Sequence, residues 1–127
     1  MRPRSLLILP AAIAASALAL TGCSAKDDAA AASGSGITVN ATDSACELSA
    51  TTTAAGQVKF TVTNAGSKVN EFYVYGADDK VVGELENISP GLTRDFSVDL
   101  SKPGTYTTAC KPGMSGDGIR ADFTVTK

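Results

Sequence analysis

From Ile37 onward apolar and polar residues alternate with a period of two, and a turn signal interrupts them about every ten residues. Such a period puts successive side chains on opposite faces of a strand, whereas a helix needs its apolar residues three and four apart. In the stretch 57–63, Val58, Phe60 and Val62 point one way while Lys59 and the threonines point the other. The stretch 69–75 repeats the pattern, with Phe72 and Val74 on one face and Glu71, Tyr73 and Tyr75 on the other; Phe96, Val98 and Leu100 alternate in the same way. The turns are rich in glycine, proline, asparagine and aspartate: Asn64-Ala65-Gly66-Ser67, Gly76-Ala77-Asp78-Asp79, Ser89-Pro90-Gly91 and Lys102-Pro103-Gly104. The spacing predicts strands over 37–39, 46–50, 57–63, 69–75, 80–88, 93–100, 105–110 and 121–126. About eight short strands in this rhythm predict an all-β Greek-key sandwich. No segment carries a helical apolar stripe.

The N-terminus reads as an address rather than as structure. Arg2 and Arg4 precede an apolar run over 6–20, which then meets Leu20-Thr21-Gly22-Cys23. The run is too short for a membrane span of about 20 residues and suits a secretory signal. Its end resembles the lipobox of bacterial lipoproteins, which implies a signal peptide over 1–22, cleavage before Cys23 and a diacylglycerol on the Cys23 thiol. Two acyl chains suffice for stable anchoring where one does not. Residues 23–36 form an Ala/Ser/Gly-rich linker with no large apolar residue, expected to be a disordered tether. The folded domain is therefore expected over 37–127, held at the outer face of the bacterial cell membrane.

Composition removes whole classes of function. The 127 residues contain no histidine, so Ser-His-Asp and Cys-His catalysis and imidazole-based zinc or blue-copper sites are excluded. No nucleophile and base stand at a recognisable spacing, so no enzyme is expected. A net charge of −2 without a basic stripe argues against a nucleic-acid partner. A domain this small buries a thin core and often needs a covalent or metal staple.

The segment from Gly104 through Tyr106 and Cys110 to Met114 resembles the copper loop of cupredoxins: a glycine turn, a tyrosine strand, a terminal cysteine and a loop ending in methionine. The earlier stretch Asn64 to Phe72 resembles the cupredoxin strand that opens with the first metal histidine, and Asn70 occupies that slot. The second histidine has no counterpart. The resemblance thus implies a cupredoxin scaffold without the trigonal type 1 site, which requires two imidazoles and a thiolate. A closer resemblance joins Cys46-Glu47, Glu71-Phe72, the stretch Glu84 to Gly91, and Tyr106 with Cys110. It is to the cupredoxin-like domain of the EfeO family, periplasmic components of a bacterial iron-uptake system. This implies binding of iron or copper, with Cys46, Glu71, Glu84, Glu86 and Cys110 as the residues carried over. EfeO proteins continue into a helical peptidase-like domain; the chain ending at Lys127 is expected to be a stand-alone lipoprotein.

In such a sandwich the loop before Cys46, the start of the Asn70 strand, the 86–90 corner and the 110–120 loop are expected to share one end. Three chemistries compete there. The first is a Cys46–Cys110 disulfide, the usual fate of two cysteines in an exported protein, contributing on the order of 4 kcal/mol in the chain-entropy model. The second is a soft Cu(I) site of Cys46, Cys110 and Met114. The third is a hard Fe(III) or Cu(II) site of Glu71, Glu84, Glu86 and Asp117, whose carboxylates repel one another unless a cation sits between them. The disulfide is compatible with the third and not with the second. Blander readings stand beside these: Met114 as a gap-filler, Asp117 as a turn former, Glu84 and Glu86 as a solvated strand face, Tyr73 and Tyr75 as cross-strand packing, and Arg120 as a surface partner of Asp122.

Two functions follow. One is a membrane-anchored metal-binding protein that captures or passes on iron or copper, with an iron permease or a peroxidase as partner. The other is a disulfide-stapled binding module of the cell envelope that holds no metal.

Overall fold

The computed structural model describes residues 36–127. The expected signal peptide, Cys23 and all but the last residue of the linker lie outside the described residues. Nine strands follow one another: β1 (Ile37–Ala41), β2 (Cys46–Leu48), β3 (Thr52–Ala54), β4 (Gly56–Asn64), β5 (Asn70–Tyr75), β6 (Val81–Ile88), β7 (Thr93–Leu100), β8 (Gly104–Cys110) and β9 (Ile119–Thr126). A single 3₁₀ turn, Pro112–Met114, lies between β8 and β9. The strands form two sheets, β2-β1-β4-β7 and β3-β9-β8-β5-β6, so the all-β sandwich expected from the alternation is the fold that forms.

The strand beyond the eight expected is β3. Its Thr-Thr-Ala carries no alternation to read, and it becomes a strand only because it pairs in parallel with the end of β9, Thr53 facing Val125. The β1–β4 pair is parallel as well, with Val39 opposite Val62. The remaining neighbours run antiparallel.

The inward positions of both sheets meet in one core. Phe60, Phe72 and Phe123 are fully buried with Val39, Val62, Val74, Ile88 and Leu100. The Phe60 ring lies 5.2 Å from Phe72, 5.5 Å from Phe96 and 5.8 Å from Phe123, so aromatic contacts join the two sheets. At about 1 kcal/mol each beyond the area they bury, these contacts matter to a core this thin. At the β6–β7 edge the layers approach closely: a Cβ added to Gly83 would stand 2.8 Å from a Val98 methyl.

One end of the sandwich is knotted by side chains. The buried Asn64 amide donates to the carbonyls of Lys68 (2.8 Å) and Ile88 (2.7 Å), while its own oxygen accepts from the Gly66 amide at 2.9 Å. Across from it, the Asp43 carboxylate accepts from the amides of Ser67 (2.9 Å) and Lys68 (3.1 Å) and from the Ser67 hydroxyl. The Gly113 amide donates to the Val69 carbonyl at 2.7 Å, which docks the 3₁₀ turn onto the entry to β5. The loops before β2, β5 and β9 and the β6–β7 corner thus share one end, as sandwich geometry predicts.

Candidate functional site

Cys46 opens β2 opposite Ala41, and Cys110 closes β8 opposite Phe72 of β5 and Ile119 of β9. Although 64 positions apart, they are joined by a disulfide with Cα atoms 5.6 Å from each other. Cys110 is fully buried and part of the core. With both sulfurs in the bridge, neither is a thiolate, and the soft site with Met114 has lost its two best donors. Met114 itself is 44% exposed on the 3₁₀ turn, and Asp117 is exposed further along the same loop. The loop folds back sharply after Cys110. Gly118 adopts φ 76°, and a Cβ there would stand 2.5 Å from the Cys110 carbonyl oxygen, which only glycine avoids.

Asn70 is fully buried at this same end, with its Oδ1 accepting from the Glu71 amide at 3.0 Å and its Nδ2 left without a partner. An amide nitrogen offers copper no lone pair in the way an imidazole does. With Asn70 in the histidine slot, no histidine in the chain and the Cys110 sulfur bonded to Cys46, the donor set does not fit type 1 copper.

The carboxylates gather elsewhere, on the outward face of the five-stranded sheet. Glu71, Tyr73 and Tyr75 occupy alternate positions on β5, and Tyr73 lies opposite Glu84 of β6 and Ala109 of β8. Between the Asn70–Ile88 and Phe72–Leu85 pairs, β6 places Glu86 and Asn87 opposite the single residue Glu71. The bulge, with Asn87 at φ 57°, follows Glu86, which alternation with the buried Leu85 keeps on the outward face beside Tyr73. The Tyr73 hydroxyl stands 3.2 Å from Glu71 Oε2 and 3.5 Å from Glu86 Oε1. One phenolic proton therefore serves two acceptors. Burial pushes the Tyr73 phenol well above its ordinary value, and the hydrogen bond and charge of Glu71, then the charges of Glu84 and Glu86, push it further.

The same tyrosine carries a cationic roof. Tyr73 and Tyr75, 9% and 7% exposed, stack with ring centroids 5.6 Å apart, and the Lys111 ammonium lies 4.2 Å above the Tyr73 centroid. The Arg120 guanidinium covers Tyr75 at 4.6 Å and pairs with Asp79. The expected Arg120–Asp122 pair is thus corrected. The β5–β6 turn brings Asp79 to Arg120, while Asp122 stands opposite Thr107 on β8.

The seven candidate ligands therefore divide by place. Glu71, Glu84 and Glu86 surround Tyr73 on the outer face, Cys46 and Cys110 form the interior bridge, and Met114 and Asp117 ride the exposed loop. Among the described residues, no three Asp, Glu or Cys side chains stand ready in coordinating geometry. Tyr73 and Lys111 are the members of this face that chemistry-bearing motifs do not flag; the alternation that pairs Tyr73 with Glu71 was the one signal for the former.

A family model described as the cupredoxin-like domain matches residues 12–125. The iron uptake system component EfeO of Yersinia pseudotuberculosis is 40% identical over 74 residues, which is 58% of this chain and 19% of that protein. The chain thus spans about a fifth of the length of the curated relatives it matches. Among solved structures, dithionite-reduced auracyanin from Roseiflexus castenholzii superposes with a TM-score of 0.59 at 14% identity, covering 76% of this chain and all of that one. Auracyanin A, a blue copper protein from Chloroflexus aurantiacus, superposes at 0.51 and 14% identity, covering 72% of this chain and 100% of its own. These structures establish the sandwich, and the family match spans nearly all of it: the chain belongs to the cupredoxin-like domain family.

Proposed function

We propose that this protein is a lipid-anchored, extracytoplasmic metal-binding module that captures or hands on iron or copper, the ion being cargo and not the object of a reaction. The observation that carries this reading is the convergence of Glu71, Glu84 and Glu86 on Tyr73, where one proton must satisfy two carboxylates. A hard cation relieves such repulsion and takes oxygen donors. Glu84 and Glu86 are exposed and Glu71 is half-buried, so an ion reaches this face from solvent. Asp117 is the further oxygen donor this reading allows, from the neighbouring loop. Likeness to an iron uptake component supports metal handling and a place outside the cytoplasm, and a disulfide suits an oxidising compartment. Cys23 is the lipid attachment point in this reading, and an iron permease or a peroxidase the partner.

Titration calorimetry of the purified protein with ferric citrate and Cu(II), at pH 7 and again at pH 5, tests the reading. Glu71→Gln keeps the size and hydrogen bonding of the side chain and is expected to weaken binding by roughly tenfold or more. Affinity is expected to fall as pH approaches the carboxylate range near about 4, because protons compete for the same oxygens. The second reading, a disulfide-stapled envelope binding module without metal, draws on the Cys46–Cys110 bridge. It prevails if no ion binds more tightly than about 0.1 mM, roughly −5.5 kcal/mol.

A further inference from the structure

We propose that the Cys46–Cys110 bridge is redox-active: it takes electrons from a dithiol outside the cytoplasm, and the buried Asn70 amide receives the Cys110 sulfur when the bridge opens. This exchange is independent of metal binding at the outer face.

One buried donor at the bridged end has no acceptor among the described residues. Asn64 and Asn70 are both fully buried there. Asn64 satisfies its whole side chain: its nitrogen donates to the Lys68 and Ile88 carbonyls and its oxygen accepts from the Gly66 amide. Asn70 satisfies only its oxygen, on the Glu71 amide, and its Nδ2 is left without a partner. A donor stripped of water and unmatched is a cost that a leucine of similar size avoids.

The ladder places this donor beside the bridge. Cys110 stands opposite Phe72, and Asn70 precedes Phe72 by two residues on the same buried face of β5. Asn70 and Cys110 are thus diagonal neighbours across the β5–β8 pair, a separation that side chains span. In the disulfide the Cys110 sulfur is held by Cys46 and is a poor acceptor. Once freed it turns about its own Cα–Cβ bond and accepts from Nδ2, most strongly as a thiolate. The oxidised form therefore carries an unmatched donor that the reduced form does not, and this favours reduction.

Access and return follow from the surroundings. Cys46 is half-buried on the three-residue edge strand β2, whereas Cys110 is fully buried, so an incoming thiolate attacks the Cys46 sulfur. The S–S bond breaks, a mixed disulfide forms on Cys46, and the electron pair leaves on Cys110 beside the Asn70 amide. The second sulfur of the dithiol then attacks its own mixed-disulfide sulfur and releases Cys46. The dithiol becomes a disulfide, the bridge gains two electrons, and the two thiol protons end on Cys46 and Cys110. Asp43 keeps the opened loop in place: its carboxylate still holds Ser67 and Lys68, so Cys46 stays within reach for reoxidation.

The test uses the full chain carrying Cys23→Ser, in which Cys46 and Cys110 are the remaining cysteines. Native buffer with mixtures of reduced and oxidised glutathione is expected to open the bridge reversibly. The glutathione adduct trapped by acid is expected on Cys46 and not on Cys110. Asn70→Leu is expected to shift the exchange constant about tenfold toward the disulfide, which is about 30 mV for a two-electron couple. In urea it is expected to destabilise the reduced protein more than the oxidised one, whereas a merely structural asparagine would cost both forms alike. With Asn70 intact, one of its Nδ2 protons is expected to move downfield in heteronuclear NMR on reduction, a readout that stands even if Asn70→Leu does not fold. A bridge that opens only in denaturant overturns the proposal. So does an adduct on Cys110, an unchanged exchange constant in Asn70→Leu, or an Asn70 amide signal that reduction leaves in place.

Discussion

A hydroxyl with one proton between two carboxylates is a local frustration, and Tyr73 lives with it because its ring is stacked on Tyr75 and nine-tenths buried. The opposite situation holds at Asp43, where every oxygen has donors. The Ser67 hydroxyl first, then the Lys68 and Ser67 amides, hold its carboxyl below the usual carboxylate range. A depressed native value means that the charged form is favoured by folding. The stabilisation is present above the unfolded-state value near about 3.9 and is lost as pH falls through the native one. Asp43→Asn is therefore expected to lower the melting temperature at pH 7 and to differ little from wild type once pH has fallen through the native value. A gap between the two proteins that persists at the acid end would show that the side chain's shape, and not its charge, ties the Asn64 turn to the loop before β2.

At the scale of elements, the disulfide joins pieces that backbone pairing holds unequally. Strand β2 has three residues and pairs only with β1, whereas β8 is flanked by β5 and β9. The bridge fastens the weaker strand to the stronger one across the two sheets. Replacing both cysteines, Cys46→Ser with Cys110→Ala, is expected to cost about 2–5 kcal/mol in denaturant unfolding. Cys110→Ser is expected to cost more than Cys110→Ala, because a hydroxyl at a fully buried position is stripped of water where a methyl is not penalised. The outer face is expected to survive the loss. Glu71, Tyr73 and Glu84 are placed by the β5–β6 ladder, and the β5–β8 pairing that brings Cys110 opposite Phe72 is held by backbone hydrogen bonds that do not need the sulfurs.

For the whole molecule, the sandwich keeps its two chemistries apart. The bridge and Asn70 lie inside at one end, and the glutamates lie outside on the five-stranded sheet. The metal reading therefore does not depend on the redox state of the cysteines, and cargo on that face meets solvent directly. Anchoring is the remaining proposal at this scale. Cys23→Ser is expected to abolish membrane retention in cell fractionation, or to leave the uncleaved precursor; normal processing with unchanged retention would rule out the lipid anchor.

Alternation alone determined the fold class, most strand positions and the inward set Val58, Phe60, Val62, Phe72 and Val74, because a strand's two faces are written directly as a period of two. The lack of histidine likewise determined that no blue-copper site forms. Strand β3 was not legible, since a Thr-Thr-Ala segment becomes a strand only when the end of β9 is there to pair with it. Nor was the partition of the candidate ligands. Sequence spacing brought Cys46, Cys110 and the glutamates to one end, but β2 and β8 join the sulfurs in the interior while β5 turns Glu71 outward. Tertiary structure also decided why Arg120 takes Asp79 instead of its near neighbour Asp122. In each case the deciding contact joins segments that are apart in the sequence and that meet only once the strands have paired, and for the disulfide only once the two sheets have closed on each other.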